Sequence, residues 1–424
     1  MPTYDNAYAA LMETLEALEI VDSHEHLPSE AARVAQTPDF SLFFSHYCYS
    51  DLLSAGMPKA DARRFIFDSA SSVEEKWALV SPYYSAIADG SYARAAHLAM
   101  ERFYGISRLE SLADAEALTR AIRANNTPGL YRRVLKEACR IRLSLNFGNL
   151  DDDPEFFAPV IFVNPVVETQ PAAFEALEAH SGVPCTSLDR YIEALRGLLR
   201  SYHARGMKGL KHSLAYMRDL HFAPVTHADA EAMFNRLTEE GYGWRDAVLG
   251  YQERRPLQDY LVHRLCEIAA ELDVPFVMHT GMQAHDRHRA DDARPGHLWN
   301  LPLRFTATRF VLLHAGFPWL EDAAMLAKQY PNVYLDLAWV HLMSPEIAVR
   351  ELRAIVDLVP MNKVIGFGGD YCVVEKIYGH LILARRNLAR VFAEKVAAGD
   401  LTLPRAEAWL RAMLRENPAH LYAV

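Results

Sequence analysis

The sequence predicts an α/β protein, a (β/α)8 TIM barrel carrying a helical insertion after its first strand. Three observations lead there. Eight short apolar segments alternate with helical stretches, each segment runs into a polar or glycine-rich turn, and histidines or an aspartate stand at several of those ends. The segments are Glu19–Asp22, Arg140–Asn146, Pro159–Asn164, Met207–His212, Val274–His279, Arg309–His314, Asn332–Asp336 and Lys363–Phe367. Between them lie helical candidates such as Leu188–Ala204, Gln258–Leu272, Leu320–Tyr330 and Pro345–Leu358, with apolar residues at three-to-four spacing. Eight such alternations are the rhythm of the barrel. A doubly wound open sheet is the weaker match, because no glycine-rich dinucleotide fingerprint follows any segment.

One interval is too long for a plain loop–helix–loop connection. About 115 residues separate the first two segments. From about Thr37 to Arg133 they are rich in Leu, Ala, Tyr and Phe at helical spacing, notably in Ser72–Ile87 and Tyr92–Phe103. The expected organisation is one barrel domain over 1–424 with a helical subdomain, 37–133, above the barrel mouth. A smaller insertion is expected near Phe222–Arg254. The polar stretch Thr280–Leu301 is expected as a lid over the mouth, and Leu401–Leu421 as a last helix on the outside.

Composition narrows the function. The 424 residues are 51% hydrophobic and 23% charged, with a formal charge of −10 and no basic run. That balance argues against a nucleic-acid partner. Cys48, Cys139, Cys185, Cys266 and Cys372 are odd in number and widely spaced, as expected of reduced thiols rather than a disulfide framework or a thiolate zinc site. The first 19 residues read as an amphipathic helix rather than a leader, and no apolar stretch is long enough to span a membrane. A cytoplasmic homo-oligomer acting on a small molecule is the expectation.

The motif with most chemical content is Val21-Asp22-Ser23-His24-Glu25-His26. In a strand, side chains alternate faces, so His24 and His26 point the same way and can share a metal ion, while Glu25 points to the opposite face as a structural residue. In a barrel, functional residues gather at the C-terminal strand ends. Segment five ends in His279, segment six in His314, and segment eight runs into Gly368-Gly369-Asp370. Each residue has a structural alternative: a buried histidine satisfied by its neighbours, or, for Asp370, an N-cap for the helix that follows. Joint placement on one rim favours the metal.

His24, His26, His279 and Asp370 are the expected ligands of one divalent ion, Zn²⁺ first, with Mn²⁺, Fe²⁺ or Co²⁺ as alternatives. Such an ion polarises a carbonyl and lowers the pKa of its water. Asp370 is expected to shuttle a proton, and His314 to serve acid–base work or polarise the substrate. On segment four, alternation turns Lys211 rather than Lys208 to the pocket, where it is expected to hold a substrate carboxylate or, carbamylated, to bridge two metals. Tyr216 and, less directly, Arg218 are expected to add polar contacts. His285, His288 and His297, set among charges in the long loop, are left out of the metal group.

These residues resemble the amidohydrolase superfamily, specifically the amidohydrolase-related branch. The motifs are His24-Glu25-His26, Phe276-Val277-Met278-His279-Thr280-Gly281, Leu313-His314-Ala315-Gly316-Phe317-Pro318-Trp319, Asn332-Val333-Tyr334-Leu335-Asp336 and Phe367-Gly368-Gly369-Asp370-Tyr371. Gly209–Tyr216 and Pro318–Asp336 are similar to the nodulin-type domains fused to glutamine synthetase, and the insertion after strand one resembles that of uronate isomerases. The resemblance implies metal ligands at His24, His26, His279 and Asp370. His314 matches the histidine that acts on substrate in mononuclear members and binds a second metal in binuclear ones. The text around Lys211 departs from the binuclear pattern, so one ion is expected. The implied reaction is hydrolysis of a C–N or C–O bond in a small carboxylated metabolite, with decarboxylation and uronate isomerisation as alternatives.

Overall fold

In a computed structural model, the structure describes residues 2–148, 150–239, 253–284 and 288–424, with the side chains of 238 and 239 outside the description. Eight strands pair in sequence order, all parallel: β1 (Ile20–Glu25), β2 (Ile141–Phe147), β3 (Phe157–Phe162), β4 (Gly209–His212), β5 (Phe276–His279), β6 (Phe310–Leu313), β7 (Val333–Asp336) and β8 (Val364–Ile365). Backbone bonds from Ser23 N to Phe367 O (3.1 Å), Asp370 N to His24 O (2.7 Å) and His26 N to Tyr371 O (3.0 Å) tie the first strand to the chain leaving the eighth. The sheet thus rolls into a barrel, as the alternation predicts.

β6 is apolar along its length and β5 up to its terminal His279, because both faces of each are buried, one in the barrel and one under helices. Leu145, Val160, Val277, Val311 and Ile365 fill the interior. The outer helices start where the sequence supplies caps. Ser187 accepts from Arg190 N to open Leu188–Ala204, and Ser344 accepts from Ile347 N ahead of Pro345 to open Pro345–Leu358.

Between β1 and β2, helices Tyr47–Ser54, Lys59–Phe67, Val73–Ile87, Ser91–Tyr104 and Leu112–Asn125 gather around an apolar cluster of their own, with Phe40, Phe44, Phe65, Met100 and Leu118 fully buried. Two buried links hold this layer to the barrel. Arg33 pairs with Glu375 at 2.7 Å, and Tyr47 Oη donates to the Asp370 carbonyl at 2.8 Å.

The later segments depart from expectation in part. Leu403–Arg411 packs against the outer helices as expected, but Asn417–Tyr422, reached through a π-helical turn, brings Leu421 and Tyr422 into the barrel-interior cluster. Tyr422 reaches Gly209 at the start of β4, so it plugs the end opposite the functional rim. The Thr280–Leu301 stretch, expected as a lid, puts Met282, Gln283 and Ala284 in the wall of the cavity at the C-terminal strand ends, forms short helical turns, and is tied by a bond from Gly281 N to Ala293 O. The smaller insertion holds the helix His227–Glu239, and its continuation through 252 lies outside the described residues. All five cysteines are free, four of them buried. Among the described residues no helix is long and apolar enough to cross a membrane.

Candidate metal centre

Strand alternation does at β1 what the sequence requires. His24 and His26 both line a cavity of about 440 Å³ at the C-terminal strand ends, while Glu25 turns away into the wall. There Glu25 accepts from Tyr371 N at 2.9 Å. Burial pushes the Glu25 carboxyl well up and that of Asp22 up to about 6. Asp22 in turn accepts from His24 N at 3.2 Å and Gly369 N at 3.1 Å, so it stitches β1 to the loop after β8.

That loop needs its glycines. A Cβ on Gly369 would sit 1.9 Å from Glu25 Oε1, and one on Gly368 would sit 2.7 Å from both Ser23 Oγ and Ala338 Cβ. Only a bare backbone lets the loop lie against β1 and deliver Asp370. Asp370 adopts a left-handed φ of 58°, His314 one of 59°, Trp339 one of 67° and His46 one of 62°. All four line the same cavity. Such conformations cost about 1–3 kcal/mol each in non-glycine residues and cluster at functional sites. The helix after Asp370 begins at Val374 with no side-chain cap, so Asp370 is not an N-cap.

The geometry suits a cation. His24 Nε2 and His26 Nε2 lie 3.1 Å apart, and Asp370 Oδ1 lies 3.2 Å from the first and 3.4 Å from the second. Ligands held at about 2.0–2.1 Å around a tetrahedral ion stand about 3.3 Å apart, so this donor set fits one Zn²⁺-sized ion. Burial works against an ionised Asp370, yet the imidazoles of His24, His26 and His314 outweigh it and hold the carboxyl well below the usual carboxylate range. Burial also pushes His24 and His279 well down, which keeps both neutral, the form a metal requires.

His279 lines the cavity but lies outside the close three-residue group. Its environment is nonetheless that of a ligand. His314 Nδ1 faces the Ala338 carbonyl at 3.0 Å, an acceptor, so that nitrogen carries the proton and Nε2 is the lone pair. His279 Nδ1, 3.2 Å from His314 Nε2, must then donate, which leaves His279 Nε2 as a buried lone pair without a hydrogen-bond partner. Burial lowers His314 to about 4.

Lys211, next to last in β4, stands in the cavity wall over the Phe147 ring at 5.3 Å, whereas Lys208 points outward to the Ala423 carbonyl. Burial, partly offset by Asp370 and Asp336, lowers the Lys211 amine to about 7. Tyr216 lines the cavity beside His279, and its oxygen accepts from Ala284 N at 3.0 Å, so its proton remains available to a ligand. Arg218 is occupied elsewhere: it is buried against Asp259 at 2.7 Å and is absent from the cavity lining. His297 bonds Asp291 O outside the cavity, His288 packs on Tyr216, and His285 lies outside the described residues.

Half of the cavity wall was not anticipated. His46, Tyr47, Ser50, Asp51, Ser54 and Tyr92 come from the insertion, and Phe162 and Trp339 from strand ends or the turns after them. The strand-end rule that finds His279 also finds Phe162, the last residue of β3, whereas Trp339 stands three residues beyond the end of β7.

Comparison with known proteins agrees with this architecture. A curated relative, Protein fluG of Emericella nidulans, is 28% identical over 223 residues, which are 50% of this chain and 25% of that protein. The chain thus matches about a quarter of that relative's length. Among solved structures, a uronate isomerase from Thermotoga maritima superposes with a TM-score of 0.78 at 16% identity, covering 98% of this chain and 97% of the other. A glucuronate isomerase from Caulobacter crescentus gives a TM-score of 0.78 at 18% identity, covering 100% and 95%. At such identities the likeness speaks for the fold, insertion included. The sequence model of the family described as Amidohydrolase matches residues 21–424, from the His24-Glu25-His26 strand to the last residue, and the chain belongs to that family.

Proposed function

We propose that the protein is a metal-dependent hydrolase that cleaves a C–N or C–O bond of a small carboxylated metabolite. One observation carries this reading: Asp370 presents Oδ1 to His24 and His26 at 3.2 and 3.4 Å and Oδ2 towards His314 Nε2 at 4.0 Å. A single carboxylate therefore helps to hold a cation and faces a proton acceptor. A divalent ion held by His24, His26 and Asp370, with His279 beside them, would polarise a carbonyl and bring the pKa of its water towards neutrality, and zinc is the ion we expect.

The chain's own side chains supply the remaining chemistry. Asp370 Oδ2 takes the proton from the attacking water and passes it to the leaving group. His314 is neutral at pH 7, and because its proton sits on Nδ1 its Nε2 lone pair, which rests on His279 Nδ1 at 3.2 Å, can act only as an acceptor, exchanging that bond for a proton, and not as a donor to the carbonyl. That tautomer favours the acid–base role over polarisation of the substrate. Lys211, half protonated near neutral pH, takes the substrate carboxylate. Tyr216, pushed up by burial, stays protonated and donates to the substrate.

Sugar-acid isomerisation is the second reading, favoured by the solved uronate isomerases that share the full-length fold. Turnover of amides, lactones and uronic acids in oxygen-18 water separates the readings. Hydrolysis places the label in a product carboxylate. Isomerisation returns a ketose of unchanged composition, and decarboxylation releases CO₂. An unlabelled ketose product overturns the hydrolase reading.

A further inference from the structure

The helix Tyr47–Ser54 turns two different faces to its surroundings. Cys48, Tyr49 and Leu52 are buried in the apolar cluster of the insertion. Tyr47, Ser50, Asp51 and Ser54, at the i, i+3, i+4 and i+7 positions of one stripe, line the cavity that holds the metal group. Three of these four carry a hydroxyl or carboxylate acceptor on successive turns without an aromatic ring. This face is polar although it lies against a pocket roofed by Tyr92, Trp339 and Met343.

Asp51 is distinctive within it. Among the described residues its carboxylate has neither an ion-pair nor a hydrogen-bond partner. Asp370, the other carboxylate of the lining, is by contrast engaged by two histidines. Lys211, the only lysine or arginine of the described lining, stands in β4 on the barrel side, whereas Asp51 stands on the insertion side. Burial raises the Asp51 carboxyl to about 6, the signature of a group that lacks a positive neighbour.

We propose that Asp51, flanked by Ser50 and Ser54, is the subsite for a primary ammonium group of the substrate, so that the enzyme acts on zwitterionic, amino-acid-derived compounds. The proposal rests on the hydrolase reading above and names its substrate class. A primary ammonium has three N–H donors and no acceptor, which matches one carboxylate and two hydroxyls on a single helix face. A neutral polyol would form hydrogen bonds there but leave the half-buried charge uncompensated. With Lys211 holding a carboxylate on the barrel side, the two charged side chains bracket the metal group and orient a substrate of opposite polarity between them.

Hydroxamates, which chelate metal ions, provide the probe. The zinc-loaded protein is titrated calorimetrically with a chain-length series of ω-aminoalkyl hydroxamates and with amine-free hydroxamates of the same lengths. At one chain length the amine should tighten binding by about 10–100-fold, the range of a hydrogen bond to a charged group. Asp51→Asn should abolish that preference and leave the amine-free affinity in place, which also certifies the folded pocket. Asp51→Glu, with its charge on a longer arm, should keep the preference and move it to a shorter probe. No preference at any length, a preference that survives in Asp51→Asn, or a polyol hydroxamate that matches the best amine overturns the subsite. Hydroxamate affinity that persists unchanged after metal removal overturns the metal reading instead, and the ratio of amine to amine-free binding still decides the subsite.

Discussion

The barrel rim supplies most of one cavity and the helical insertion about a third of it, yet they are held by different forces. On the rim, His24, His279, His314 and Asp370 leave strands that are hydrogen-bonded on both sides, and left-handed backbone at His314 and Asp370 fixes their direction. On the insertion, Ser50, Asp51 and Ser54 ride on a helix whose position is set by a separate apolar cluster and by two buried links, Arg33–Glu375 and Tyr47–Asp370. On the proposed reading the reactive groups sit on the strand ends and the ammonium subsite on the insertion, whose helix also touches the rim where Tyr47 donates to the Asp370 carbonyl. In this fold chemistry and specificity are separable.

Substitutions on the rim should therefore remove turnover, and those on the insertion should alter binding. The largest effect is expected at Asp370. Asp370→Asn should lower kcat by about 10³–10⁴-fold while some metal stays bound through the histidines. A fully active variant would show that no proton passes through this carboxylate. His314→Gln, which removes the imidazole acceptor, should cost about 10²–10³-fold in kcat and weaken metal binding only modestly, through the lost partner of His279 Nδ1. Failure to load the ion even at saturating metal would move His314 into the ligand set.

The next contrast concerns stability. Phe44→Ala empties a fully buried position that packs edge-on against Tyr84 at 5.5 Å, and should destabilise the protein by about 3–5 kcal/mol in thermal unfolding. Ligand affinity should fall with it while metal binding persists. Ile365→Ala, inside the barrel five residues before Asp370, should cost about 2–5 kcal/mol and weaken metal binding as well. Equal effects of the two on metal affinity would mean that the halves are not separable.

The smallest effect is a pH dependence at Lys211. The folded amine releases its proton near 7 and the unfolded one near 10.5, so between those values the native state binds fewer protons and stability rises with pH. Lys211→Met should therefore raise the stability of the metal-free protein below pH 7, with the gain fading towards pH 10. A gain that grows with pH would contradict the buried, depressed amine.

The same division explains what was legible in the sequence. The rim was readable because strand period and strand ends are local signals. Alternation placed His24 and His26 together and Lys208 outside, even though β1 runs on to Glu25 instead of ending at Asp22. Pro345–Leu358 came out with its observed bounds because Ser344 and Pro345 mark its start. The contribution of the insertion was not readable. Which face of Tyr47–Ser54 meets the cavity depends on how the helix rolls, and tertiary links such as Tyr47 to Asp370 set that. The inward turn of Leu421 and Tyr422 was hidden for a like reason, since an apolar helix end looks the same whether it covers a barrel or plugs one. Arg218 misled because a charge beside a strand end suggests substrate until its buried partner, Asp259, is seen.

The central claim is that His24, His26 and Asp370 form the core of a single metal site, and elemental analysis of the purified protein beside a His24→Ala/His26→Ala double variant tests it most directly. The account predicts one divalent ion per chain, zinc first, in the unaltered protein and none in the double variant. Two ions per chain, which would bring Lys211 and His314 into the metal group, or an ion retained without the histidine pair, would contradict it.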